Sequence, residues 1–82
     1  MKILPLSKRL QRYLRRHRLT RKFEKQKALF EKDYRHPSLN TEWLEPKHLC
    51  IYSFRIDIQY RAIFIINEDG NAEIIDINNH YR

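Results

Sequence analysis

The chain has 82 residues, 17 Lys/Arg against 10 Asp/Glu for a net charge of +7, and a single cysteine. That length bounds it to one domain with a thin core, and one cysteine excludes an internal disulfide framework or a paired-cysteine zinc or redox motif. No apolar run approaches the ~20 residues of a membrane-spanning helix, and the first residues lack the apolar centre and cleavage site of a signal peptide, so a cytoplasmic protein with no membrane partner is expected.

Charge divides the chain. Residues 1–40 carry 13 Lys/Arg and 3 acids, a net of +10, whereas residues 41–82 carry 4 and 7, a net of −3. Such asymmetry points the first half at a polyanion or an acidic protein. Arginine dominates Arg9–Arg21, and its planar fork matches phosphate oxygens.

Lys2–Leu4 reads as a short edge strand ended by Pro5, which cannot donate to a ladder. Ser7 is an N-cap for a helix over roughly residues 8–17, where Leu6, Leu10, Tyr13 and Leu14 form one apolar stripe. Leu19 and Thr20 join it to a second helix running to about Tyr34, with Leu19, Phe23, Phe30 and Tyr34 inward. Together they predict an αα-hairpin. Pro37 ends the second helix, because the residue before proline avoids the α region.

Thr41–Leu44 is a short strand or loop broken by Pro46. Leu49–Ile56 then alternates, with Cys50, Tyr52, Phe54 and Ile56 on one side and Ile51, Ser53 and Arg55 on the other. By that alternation Cys50 is expected to be packed inward. Tyr60–Asn67 is apolar on both faces and reads as the central strand. Glu68-Asp69-Gly70-Asn71 is a hairpin turn, and Ala72–Asn78 closes the sheet. The order predicts an α+β domain over residues 1–82: an N-terminal αα-hairpin on one face of a small antiparallel sheet of three to four strands. The other face would stay partly open and hold Arg61, Ile63 and Ile65, or else Ser53 and Arg55, according to register.

The polar residues of the sheet and its borders are Glu42, Lys47, His48, Arg55, Arg61, His80, Tyr81 and Arg82. A base, an acid and cationic phosphate ligands suffice for phosphoryl transfer when the substrate brings its own nucleophile, as RNA does with its 2′-hydroxyl. His17, His36 and His48 share no metal-ligand spacing, so neither a metal nor another cofactor is expected.

Pro37-Ser38-Leu39-Asn40-Thr41, Ile51-Tyr52-Ser53-Phe54-Arg55-Ile56, Tyr60-Arg61-Ala62-Ile63-Phe64 and the ending Ile77-Asn78-Asn79-His80-Tyr81-Arg82 resemble the RelE/ParE superfamily of bacterial toxins. The tail is similar to the His-Tyr ending of the YoeB-like toxins and the middle to the YafQ-like branch. The resemblance implies a RelE-like fold and the toxin of a type II toxin–antitoxin pair, with a small acidic antitoxin as partner. It also implies an endoribonuclease that cleaves mRNA in the ribosomal A site, against ribosomal RNA. By position Arg61 would bind the scissile phosphate, His80 would transfer a proton with Tyr81 beside it, and Glu42 falls where the YoeB-like toxins carry a glutamate. In the YafQ-like pattern that region carries a histidine. Arg55, Lys47, His48 and Arg82 would contact substrate.

Cys50 stands where the superfamily usually has glycine. The nuclease reading requires Arg61 and His80 to meet, accessible, over one phosphodiester. A ParE-like gyrase inhibitor without catalysis is the alternative, and a basic domain that only binds is a third.

Overall fold

A computed structural model describes residues 1–79. The chain forms α1 (Lys8–Arg16), α2 (Thr20–Lys32), then strands β1 (Glu42–Trp43), β2 (Tyr52–Arg55), β3 (Tyr60–Ile66) and β4 (Ala72–Asn79). The four strands lie in the order β1-β2-β3-β4, each antiparallel to its neighbour. This is the predicted α+β arrangement. The first residues contribute a single parallel bridge, Ile3 to Ala72, rather than a strand.

Ser7 caps α1 as expected, its Oγ accepting from the Leu10 amide at 3.2 Å. At the other end the Leu19 amide returns to the Leu14 carbonyl (2.7 Å) and the Arg18 amide to the Arg15 carbonyl (3.1 Å). These two bonds satisfy carbonyls that a helix C-terminus leaves orphaned, and they require the intervening Arg18 to take φ 56°. The result is the tight joint between the helices.

α2 ends at Lys32, short of the predicted Tyr34. Asp33 turns extended, and its Oδ1 accepts from the Arg35 amide at 3.0 Å, a local bond that competes with another helical turn. Tyr34 consequently lies 39% exposed instead of inward.

Both helices cover one face of the sheet. Leu10, Leu14, Leu19, Phe23 and Phe30 pack with Phe54, Ala62, Phe64, Ile74 and Ile77 in one buried cluster. Phe30 sits at its centre, 5.1 Å from the Phe54 ring and 5.3 Å edge-on to Phe64; such pairs contribute about 0.5–1.5 kcal/mol each beyond their area. One polar residue joins this layer. Gln26 of α2 is buried and donates from Nε2 to the carbonyls of Arg55 (2.8 Å) and Ser38 (3.3 Å).

The β3–β4 turn follows the predicted Asp-Gly chemistry, with Gly70 at φ 78°. The Asn67 side chain organises it, accepting from the amides of Asp69 (3.0 Å) and Asn71 (2.9 Å). No helix among the described residues is long and apolar enough to cross a membrane.

Candidate functional site

Register decides which residues share the face that the helices leave uncovered. Glu42 pairs with Ser53, Ser53 with Ile63, and Arg55 with Arg61. Paired residues point to the same side of a sheet, as do residues two apart on a strand. Glu42, Ser53, Arg55, Arg61 and Ile63 therefore share one face. The two alternatives left by the sequence are both fulfilled on it.

Arg55 and Arg61 face each other directly, an arrangement that like charges resist. They part in different directions. The Arg55 side chain stays exposed and makes no hydrogen bond or ion pair among the described residues. Arg61 lies back across β2, where its Nε donates to Ser53 Oγ at 2.9 Å. Its Nη2 donates to the Asn40 carbonyl at 2.5 Å and, at longer range, to the Ser53 carbonyl at 3.3 Å. The same nitrogen is 3.1 Å from Glu42 Oε1. Asn40 presents its carbonyl from a left-handed turn, φ 44°, just before β1.

The expectation of an accessible Arg61 is not met, because only 5% of the residue remains exposed. A cation buried on an apolar strand must find acceptors, and the hydroxyl and carbonyls of the neighbouring segments supply them. Burial pulls the guanidinium's pKa below the ordinary arginine value; Glu42 opposes that shift and Arg55 adds to it. Nη1 is the nitrogen with no hydrogen bond to a described residue. Asp57 and Asp76, the other carboxylates near this end of the sheet, are engaged elsewhere, Asp57 with Lys22 and Asp76 with Arg9.

Lys47 and His48 lie on a 3-10 turn over Lys47–Leu49, between β1 and β2. Lys47 Nζ stands 5.2 Å from the centre of the Trp43 ring, and Trp43 Nε1 donates to the Lys47 carbonyl at 3.0 Å. Lys47 is thus engaged with an aromatic face rather than open on the sheet. Trp43 is itself half exposed and stacks on Tyr52, which stacks on Phe64. His48 is exposed on the same turn. His80, Tyr81 and Arg82 lie outside the described residues.

Cys50 corrects a second expectation. β2 begins only at Tyr52, and Cys50 is exposed with φ 54°, its amide closing the 3-10 turn onto the Lys47 carbonyl at 3.1 Å. Strand alternation fails here because the chain has not yet entered the strand. A left-handed backbone at this position suits glycine.

The solved structure of a YoeB/ParE toxin from Agrobacterium tumefaciens matches 99% of this chain and 100% of its own, with a TM-score of 0.63 and 23% sequence identity. The two share a fold. No protein-family model and no curated protein matches the sequence. The shared fold spans both helices and the whole sheet.

Among the described residues, the site therefore consists of a half-exposed carboxylate anchored on a buried guanidinium, with a second guanidinium exposed beside it. Chemically, such a set can hold a phosphodiester on Arg55 and present an oriented carboxylate to a neighbouring hydroxyl.

Proposed function

We propose that this protein is the toxin of a type II toxin–antitoxin pair and acts as a metal-independent endoribonuclease on ribosome-bound mRNA. The observation that carries the reading is the Glu42–Arg61 pair on the uncovered sheet face, beside the exposed Arg55, in a fold shared with a YoeB/ParE toxin. Glu42 takes the proton of a ribose 2′-hydroxyl as the oxygen attacks the adjacent phosphorus. The bond to the 5′-oxygen breaks, and that oxygen receives a proton from His80. The products are a 2′,3′-cyclic phosphate and a 5′-hydroxyl. Arg55 binds the phosphate and Arg61 acts chiefly as a positioning residue, fixing the carboxylate and lending charge through Nη1. This mechanism replaces the one the family resemblance implies, which required an accessible Arg61 over the phosphodiester and is ruled out by the burial of that residue.

Purified protein incubated with ribosomes programmed with mRNA tests the proposal, with Glu42→Gln, Arg55→Ala and His80→Ala alongside. Removing a general base or acid should slow cleavage by roughly 10²-fold or more. Wild-type protein that leaves the message intact, or variants that cut at the wild-type rate, would end the nuclease reading.

The burial of Arg61 favours a second reading, a ParE-like inhibitor of DNA gyrase in which the arginine is purely structural. Supercoiling by purified gyrase, with and without the protein, separates the two. An acidic antitoxin is the partner under either reading, attracted by the +10 charge of residues 1–40.

A further inference from the structure

We propose that the exposed flank of α1 is a second RNA-binding surface, taking a single-stranded segment with phosphates on Arg12 and Arg16 and a base on the His17 ring. The inference rests on the reading that RNA is the substrate, and it concerns the opposite side of the sheet from Glu42 and Arg61.

α1 contains Lys8, Arg9, Arg12, Arg15 and Arg16 and no acidic residue. Arg9 is held by Asp76 (3.8 Å) and the Ile75 carbonyl (3.3 Å). Arg12, Arg15 and Arg16 make no ion pair or hydrogen bond through their side chains among the described residues, so their charge is uncompensated locally. Arg12 and Arg16 are four residues apart and stand above one another on the helix, about 5–6 Å between their Cβ atoms.

The same spacing brings Tyr13 and His17 together, with ring centres 4.2 Å apart and planes inclined at 38°. Tyr60 closes the group, its hydroxyl 3.2 Å from His17 Nδ1 and its ring edge-on to Tyr13 at 6.2 Å. An exposed imidazole is thereby held by two neighbouring rings, Tyr13 and Tyr60 (5.6 Å between the His17 and Tyr60 ring centres), with a hydroxyl at Nδ1, while its Nε2 makes no hydrogen bond to a described residue.

An acidic polypeptide would need the cations alone. A fixed, exposed ring set among unpaired arginines matches the two components of single-stranded nucleic acid, charged backbone and stackable base. Tyr60 and Arg61 are consecutive on β3, so their side chains leave opposite faces of the sheet. A strand threaded past this end of the sheet would meet both surfaces.

The test is fluorescence anisotropy of a labelled 2′-O-methyl oligouridine, which cannot be cut, titrated with the full chain over a range of salt concentrations. Arg12→Gln/Arg16→Gln should weaken binding and reduce the log–log salt slope by about 1.4, two phosphates at ~0.7 each. His17→Ala should weaken binding about fivefold or more while leaving the salt slope unchanged, since stacking is not ionic. All three side chains are exposed, and circular dichroism verifies that the variants fold. Absence of binding by the wild type, an unchanged slope in the double variant or wild-type affinity in His17→Ala overturns the proposal. Equal displacement of the probe by poly-glutamate overturns it in favour of an acidic protein partner. Because the probe is inert and no residue of the open face is altered, a protein that fails to cleave mRNA yet shows this pattern loses only the nuclease reading.

Discussion

Glu42 and Arg61 belong to strands that are not neighbours in the sheet, yet Oε1 of one lies 3.1 Å from Nη2 of the other, the contact passing over the intervening β2. The two ends of this pair are unequally buried, Glu42 half exposed and Arg61 almost closed off. Glu42→Ala should therefore lower stability by about 1 kcal/mol, because water replaces part of what the exposed carboxylate supplied. Arg61→Ala should cost roughly 3 kcal/mol or more, since it strands the Ser53 hydroxyl and the Asn40 carbonyl as well. Urea unfolding of both variants checks this; equal losses would mean that the pair is an ordinary surface contact.

Gln26 makes a separable prediction. Its amide joins α2 to the carbonyl that ends β2. Gln26→Leu should lose about 1–3 kcal/mol despite the gain in apolar volume, because two carbonyls lose their donor in a largely buried setting. Hydrogen exchange should report faster opening around Arg55 in that variant.

Asp57 gives the fold a dependence on pH. Burial by itself would raise the pKa of this carboxyl, but the Lys22 ammonium at 3.0 Å and the amides of Tyr60 and Gln59 at 2.8 Å outweigh it, and the net shift is downward. A group depressed on folding contributes stability that is present above its unfolded pKa, about 3.8, and lost as pH falls through the folded value. Wild-type protein should therefore lose stability relative to Asp57→Asn as pH is lowered from 5 towards 3. Melting temperatures measured in parallel across that range give the answer, and a constant difference would contradict the assignment.

Cys50 supplies the fourth test. A non-glycine residue in the left-handed region costs about 1–2 kcal/mol, and Cys50 occupies that region in the open. Cys50→Gly should stabilise the protein by up to roughly 1 kcal/mol, the remainder being offset by the greater freedom of glycine in the unfolded chain. Thermal unfolding that shifts downward would refute this.

The regular elements were legible because local chemistry and tertiary packing agree. The Ser7 cap, the apolar stripe through Leu10 and Leu14, and the Asp69-Gly70 turn each act over a few residues, and each appears where expected. Tyr34 and Cys50 were misplaced for the converse reason. Periodicity carries the helix past Asp33, which stops it, and carries strand alternation back to Cys50, two residues before β2 begins.

The site was partly legible. Glu42, Arg55 and Arg61 are chemically capable residue types on sequence alone, and the register brings them to one face. What no periodicity could disclose is the direction in which Arg61 folds. That depends on Ser53 and on a backbone carbonyl at Asn40, residues chosen by the geometry of three separate segments. A hydroxyl among apolar neighbours in the Tyr52–Arg55 stretch was the available signal.

The sheet that α1 and α2 rest upon is made entirely of residues that follow them in the chain. During synthesis the cationic helices leave the ribosome before any of the strands that complete their core exists, so their apolar stripe has nothing to bury against. Glu42, Arg55 and Arg61 likewise take up their relative positions only once β3 has paired with β2. Such a topology delays assembly of the open face until β3 has been made, long after the helices have emerged.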